Sequence, residues 1–478
     1  MQSVQVPLIV DLDGTLTPTD TLIESIVAIV KRNPLEIFRL LYWLLSNRCI
    51  ATFKHRVAVS GGGVVPQVPF RPDFLAWLES EKRGGRTIIL ATAAHESIAR
   101  SVAAHSTVFD AVLSTTAGVN LKGPAKLAAI RAQFGDAFSY AGDSAADLPI
   151  WKAARTSVLV GVSRRVGMQA ERFGNVEKRF SYAAPSVATW LRAMRVHQWV
   201  KNFLMFVPLL TAFAFSSGEQ LVSVAIGFIA FSLAASGTYI LNDIWDLESD
   251  RNHPRKCARP FAACAIPLER GIGMAGLLVA IASMLALAVS VSFLGMLVIY
   301  IILTTAYSLK LKRYVLIDVL VLALLYTFRV LAGAVAISVG VSTWLLAFCI
   351  FIFFSLALVK RCAELVSLRD AKRDAVDGRD YRVTDLTVLW PMGVGAGLSS
   401  VVVFGLYVGS PAAEHMYGNT NGLWMAGIGL IYWIARIWIK TARGEMHDDP
   451  IVFTLKDFGS RVAIAAMVAI TLIMHFIG

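Results

Sequence analysis

From about residue 203 onward the chain is a series of long apolar runs broken by short polar connections, and that pattern leaves few folds open. The runs cover about 203–217, 221–241, 272–290, 294–309, 315–338, 343–361, 386–408, 423–441 and 460–477. A bilayer core takes roughly 20 apolar residues per helix, and backbone in lipid must satisfy its own hydrogen bonds. Nine runs therefore predict an all-α bundle of nine transmembrane helices, of which the first run is the shortest. Composition agrees, with 56% of the 478 residues hydrophobic and 16% charged. Residues 1 to about 190 lack such runs and read as a separate soluble domain.

The net charge of +12 need not mean nucleic acid, because Lys and Arg cluster beside the apolar runs. There they suit anionic lipid and phosphate substrates. The connections after the second, fourth, sixth and eighth runs carry Arg251 through Arg259, Lys310 through Arg313, Lys360 through Arg382, and Lys440 through Lys456. Those near Ser217, Ser292, Ser338 and Ser410, and the C-terminus, carry none. The positive-inside rule then puts the N-terminus in the cytoplasm and the C-terminus outside. No signal-peptide pattern opens the chain, which agrees with a cytoplasmic first domain at an inner (cytoplasmic) membrane. The five cysteines, Cys49, Cys257, Cys264, Cys349 and Cys362, form no CxxC pair and no zinc spacing, as expected of reduced thiols.

Where the second run gives out stands Asn242 to Pro260, NDIWDLESDRNHPRKCARP. Asp243, Asp246 and Asp250 are spaced i, i+3, i+7, so a continuing helix would place them on one face. Three such carboxylates repel one another unless a cation intervenes, and hard oxygen ligands suit Mg2+ that also holds substrate phosphates. Arg251, Arg255, Lys256 and Arg259 follow at once, suited to phosphate oxygens. The competing reading is a solvated helix end with ordinary positive-inside charges.

In the first domain, the apolar strand Val6–Val10 runs into Asp11-Leu-Asp13-Gly-Thr15. Two carboxylates at a strand tip divide labour between nucleophile and proton donor. A second strand, Thr87–Ala91, delivers Thr92, and Lys126 (with Lys122 as alternative) lies behind Pro124. A third strand, Phe138–Ala141, ends in Gly142-Asp143-Ser-Ala-Ala-Asp147, and Ser157–Val160 makes one more. Strands alternating with helices, with acids at their carboxyl ends, predict a doubly wound α/β sheet with its site at the strand tips. An insertion follows the first strand. It contains the apolar helix pattern of Pro34–Ser46, and Gly61–Gly63 with prolines 66, 69 and 72 return the chain to the core. Its apolar face suits cap packing, a bilayer surface or a lipid.

DxDGT, Thr92, Lys126 and GDSxxD together resemble the haloacid dehalogenase-like (HAD) phosphatases. That resemblance implies Asp11 as nucleophile, Asp13 as proton donor, Asp143 and Asp147 as Mg2+ site, and a helical cap at about 17–80 of a domain over 1–185. NDxxDxxxD after the second run resembles the UbiA superfamily of intramembrane transferases, here over 190–478. More narrowly, Arg195-Val-His-Gln198-Trp-Val-Lys201-Asn202, DRNHPRKCARP, Tyr307-Ser-Leu-Lys310 and Lys360-Arg361-Cys-Ala-Glu364 resemble the decaprenyl-phosphate phosphoribosyltransferase branch. That branch moves 5-phosphoribose from phosphoribosyl pyrophosphate (PRPP) to a polyprenyl phosphate. The resemblance implies substrate contacts from Lys201, Asn242, Arg251, Arg255, Lys256, Arg259, Tyr307, Lys310, Lys360, Arg361 and Glu364. Where many UbiA prenyltransferases carry a second aspartate motif, this chain has Lys360, Arg361 and Glu364, with Asp370 and Asp374 nearby.

The reading is a bifunctional Mg2+-dependent enzyme that makes a polyprenyl phosphoryl ribose for envelope polysaccharide. The alternatives are an aromatic prenyltransferase using a prenyl diphosphate, and a transporter or lipid-binding protein with a regulatory phosphatase-like domain. Within the fifth run, Asp318 and Arg329 share a face roughly 16 Å apart, and Arg329 meets either a lipid phosphate or a buried partner. Assembly as a homo-oligomer stays open.

Overall fold

The computed structural model describes residues 6–46, 50–60, 68–116, 120–372, 379–446 and 449–477. Cys49, Gly61–Gly63, Pro66 and Asp374 lie outside them. The chain forms two compact units: Met1–Ala193 with Asp243–Met274, and Met194–Asn242 with Ala275–Gly478.

The first unit is built on six strands, β1 (Leu8–Val10), β2 (Ile88–His95), β3 (Ala111–Thr115), β4 (Ser139–Gly142), β5 (Thr156–Val160) and β6 (Val176–Phe180). Their order is β3-β2-β1-β4-β5-β6, and all pairings are parallel. β1, β2 and β4 are apolar because helices cover both faces of a parallel sheet. Neither β3 nor β6 is among the strands that the sequence predicts. β6 is VEKRF, whose central Glu-Lys-Arg stays exposed on the sheet edge, so no apolar run marks it.

Between β1 and β2 come α1 (Thr21–Arg32), α2 (Glu36–Ser46), α3 (Ile50–Ser60) and α4 (Pro72–Arg83). The first three share a small core of Ile29, Leu40, Trp43, Phe53 and Val57, which makes them the cap. α4 buries Phe74 and Leu78 against the sheet residues Leu8, Val10 and Leu90, so it belongs to the α/β layer. The cap thus occupies only part of the 17–80 stretch. On α2 only Leu40 and Trp43 are buried, and Phe38, Tyr42 and Leu45 face outward. The sheet is completed by α5 (Glu96–Ser106), α6 (Pro124–Phe134), α7 (Leu148–Ala153) and α8 (Arg164–Glu171).

Helices α9 (Val187–Ala193) and α10 (Val207–Thr211) precede α11 (Gly218–Trp245), and the short α12 (Leu247–Arg251) leads to α13 (Leu268–Val289). Then come α14 (Val291–Leu309), α15 (Ile317–Ala336), α16 (Thr343–Asp370), α17 (Leu386–Val408), α18 (Pro411–Tyr417), α19 (Leu423–Ala442), α20 (Pro450–Lys456) and α21 (Phe458–Ile477). Among the described residues eight helices are long and apolar enough to cross a membrane, rather than nine: α11, α13, α14, α15, α16, α17, α19 and α21. The missing one is the first run. It is a 3-10 stretch over Val196–Phe206, then α10, then a 3-10 turn at Ala214–Ser216. Pro208 has no amide proton to extend the preceding helical turn, and Phe213 sits at a φ of 48°, which ends the next one.

Candidate active sites

In the first unit the phosphatase-type motifs meet at the carboxyl ends of neighbouring strands β1, β2 and β4. Asp11 leaves β1 with Oδ1 accepting the Leu12 amide at 2.8 Å and Oδ2 paired to the Lys126 ammonium at 2.8 Å. Lys126, buried on the first turn of α6, also donates to the Tyr140 hydroxyl at 3.1 Å. Tyr140 in turn donates to Asp147 Oδ1 at 2.8 Å. Asp147 Oδ2 accepts the amides of Asp143 and Ser144 and the Ser144 hydroxyl at 3.1–3.2 Å. Asp147 is thus committed to shaping the loop, and Asp143 is the more available ligand. Thr92 is fully buried where the β2–β3 register shifts between Ala91 and His95, and its hydroxyl accepts the Ala94 amide at 3.0 Å.

Asp11, Asp143 and Asp147 offer carboxylate oxygens within 4.8 Å of one another. Burial pushes the Asp143 carboxyl up to about 8, and the neighbouring Asp11 and Asp147 charges add to it. Burial also raises Asp11, opposed by Lys126. So crowded a set of hard oxygens fits Mg2+, which would restore the charged forms. Burial, with help from Asp20, lifts Asp13 to about 7, while Asp13 Oδ1 accepts the Thr21 amide at 2.9 Å. Gly14 is required here. Its φ is +78°, and a Cβ would come within 2.1 Å of Asp143 Oδ2.

The same unit holds the aspartate segment, and here the sequence expectation needs correcting. α11 ends at Trp245, and Asp246 adopts φ −88°, ψ 9° before α12 restarts. The three aspartates therefore do not share one continuous helix face. Asp243 and the buried Asp250 are instead drawn together by Arg259, whose Nη1 lies 3.1 Å and 2.6 Å from them. The guanidinium stands where a cation bridges two carboxylates, so that pair also fits a metal. Arg259 is thus an ion-pair partner in this structure. Arg251 is as well, forming a two-point pair with the buried Glu24 of α1 at 2.7 and 2.8 Å. Arg255 is exposed and Lys256 half-buried on the following turn, and Asn242 is half-buried near the end of α11.

In the second unit the expected substrate residues divide into separate networks. Tyr307 donates to Asp318 at 2.7 Å, and Asp318 pairs with Arg361 at 2.5 Å. Arg361 also pairs with Glu364, which Arg379 reaches at 2.9 Å. Tyr307, Arg361 and Glu364 thus join one ionic network around the buried Asp318–Arg361 pair. Arg329 meets buried partners, Asn202 at 2.9 Å and Tyr300 at 2.9 Å. Lys310 is exposed at the end of α14. Lys201 and Lys360 both face Asp449, at 2.8 and 3.7 Å. Asp449 was not foreseen, because a lone acid in a connection carries no local signal. Lys54 of the cap, also unforeseen, reaches the Ala93 carbonyl at 2.7 Å and Asn120 at 3.2 Å, beside Thr92.

Comparison with known proteins matches residues 204–458 to the UbiA prenyltransferase family and residues 8–152 to the haloacid dehalogenase-like hydrolases. Uncharacterized protein y4nM of Sinorhizobium fredii is 36% identical over 479 residues, covering 98% of this chain and 91% of that one. Nodulation protein NoeC of Azorhizobium caulinodans is 32% identical over 281 residues, covering 58% of this chain and 91% of its own. Decaprenyl-phosphate phosphoribosyltransferase of Corynebacterium glutamicum is 33% identical over 226 residues, covering 45% of this chain and 66% of that enzyme.

Proposed function

Since the chain belongs to the UbiA prenyltransferase family and carries a haloacid dehalogenase-like domain at its N-terminus, we propose that it is a polyprenyl-phosphate phosphoribosyltransferase with its own phosphatase. The observation that carries this reading is the 33% identity over 226 residues to a decaprenyl-phosphate phosphoribosyltransferase. A second support is chemical. The place of a second acidic motif is held by Lys360-Arg361-Cys-Ala-Glu364, which favours a phosphorylated donor over a prenyl diphosphate bound through two metals.

In the transfer step, an acceptor phosphate oxygen bonds to ribosyl C1 as the C1–O bond to pyrophosphate breaks. Asp243 and Asp250, with Asp246 beside them, would hold Mg2+, which supplies charge stabilisation to the departing pyrophosphate. Arg259, which pairs with both aspartates here, would turn to phosphate oxygens. In the second step Asp11 attacks the ribose 5-phosphate phosphorus, and the ribose oxygen leaves with the proton of Asp13. A carboxyl near pH 7 is poised to give that proton and then to take one from the water that cleaves the aspartyl phosphate. Lys126 balances Asp11, while Asp143 and Asp147 complete the carboxylate set. The product is a polyprenyl phosphoryl ribose.

The test is mass spectrometry of lipids after incubating the purified chain with Mg2+, PRPP and a polyprenyl phosphate. A ribosyl lipid is expected, and no product from geranyl diphosphate with 4-hydroxybenzoate. Prenylated 4-hydroxybenzoate without ribosyl lipid would hand the case to an aromatic prenyltransferase.

Topology supplies a second test. With the N-terminal domain in the cytoplasm, the basic connections share its side only if the broken run over 196–216 also crosses the membrane. Periplasmic alkaline phosphatase fused after the C-terminus is expected to be active, and fused at Lys312 inactive. The reverse pattern would overturn this orientation.

A further inference from the structure

Asp449, in the connection between α19 and α20, gives its two carboxylate oxygens different tasks. Oδ1 accepts the Ile451 amide at 3.2 Å and caps α20. Oδ2 receives the Tyr326 hydroxyl at 2.8 Å and faces the Lys201 ammonium at 2.8 Å and the Lys360 ammonium at 3.7 Å. The donors come from separate stretches, Lys201 from the 3-10 run, Tyr326 from α15 and Lys360 from α16. The Asp449 and Lys201 side chains are 6% and 10% exposed, while Lys360, at 35%, keeps an open side.

Among the described residues the charges around Asp449 do not balance. Two ammoniums meet one carboxylate, and Arg329, over the Tyr326 ring at 5.7 Å, is positive too. Arg361, next to Lys360 in sequence, is matched by Asp318 and Glu364. Surplus charge among membrane helices is costly, and stability would be served as well by a neutral pair. Each ammonium carries three N–H donors, so pointing one at Oδ2 leaves others for a second acceptor. The Tyr326 hydroxyl is spent on Asp449 Oδ2, so the N–H groups that the two ammoniums keep are the donors left for a tetrahedral oxyanion.

We propose that Asp449 is a positioning residue, which holds Lys201 and Lys360 together as one site for a single phosphoryl group, either the phosphate of the lipid acceptor or the 5-phosphate of the ribosyl donor. This rests on the transferase reading above. Because Oδ1 is committed to the α20 cap, the carboxylate is a fixed point on which the lysines converge. Without it the ammoniums repel each other, and an incoming phosphate must draw them together against that repulsion.

The experiment uses the full-length chain in lipid nanodiscs, with PRPP and polyprenyl phosphate varied in turn. Asp449→Asn keeps a side-chain oxygen able to cap α20. It is expected to raise KM for one of the two substrates about tenfold, leaving kcat and the other KM within about threefold. Lys201→Gln and Lys360→Gln should raise the same KM, and the double variant should fall short of the product of the two effects, as for groups sharing one ligand. The substrate whose KM rises names the source of the phosphoryl group. Lysines acting on different substrates, or an Asp449→Asn variant that lowers kcat alone or tightens KM, would overturn the proposal. Inorganic phosphate titrated calorimetrically reads the site independently of turnover. Binding weakened by all three substitutions supports it even if the wild-type chain transfers no ribose, which would sink the transferase reading alone. Binding unchanged by all three overturns the site.

Discussion

Asp243→Ala is expected to lower ribosyl transfer on the order of 10³-fold, with the protein still folded and inserted. Asp243 is buried near the end of α11 and shares Arg259 with Asp250 across the break at Asp246. Removing it takes one of two carboxylates from a pair that a single cation joins. The remaining pair, Arg259 with Asp250 at 2.6 Å, keeps the loop tied, so the loss should fall on catalysis. Asp250→Ala should behave alike. Arg259→Gln should act differently, raising KM for PRPP while Mg2+ still binds, because it removes a phosphate contact but frees both carboxylates. The controls are elution as a monodisperse species and undiminished hydrolysis of p-nitrophenyl phosphate. A well-folded Asp243→Ala enzyme with near wild-type, magnesium-dependent transfer would exclude this segment as the metal site.

What was legible in the sequence follows from how local each signal is. DxDGT and GDSxxD are contiguous, and β1 and β4 are apolar through both faces, so site and scaffold announced each other. Lys126 and Lys122 were separable only by reach, and Lys126 is the one 2.8 Å from Asp11. The bundle was legible because lipid demands long apolar helices, and its one error lies where Pro208 and Phe213 break an apolar run that hydropathy treats as continuous. Long-range pairings were not legible. Glu24 lies 227 residues from Arg251, and Tyr326 lies 123 from Asp449. No periodicity connects such positions, so the Arg251–Glu24 pair could not be foreseen from the sequence.

Asp11→Asn should abolish phosphatase activity, on the order of 10³-fold or more, while leaving ribosyl transfer intact. The amide matches the carboxylate in shape, and Oδ1 can still accept the Leu12 amide, so the β1 tip should hold its geometry. What is lost is the nucleophile, along with the counter-charge to Lys126. The substitution removes one of three crowded acids, so it should stabilise the fold rather than weaken it, read as an unchanged or raised melting temperature without added metal. The coupled reaction then reports on the fusion. With PRPP and polyprenyl phosphate, the wild-type chain should end at the ribosyl lipid, and Asp11→Asn one phosphate earlier, at the 5-phosphoribosyl lipid. Tethering two activities in one chain raises the local concentration of the shared intermediate without creating specificity. Adding purified wild-type protein to the accumulated lipid should therefore complete the conversion more slowly than it proceeds within one chain. If both enzymes yield the same phosphorylated lipid, the hydrolase domain acts on some other phosphomonoester, and the two activities share a chain without sharing a substrate.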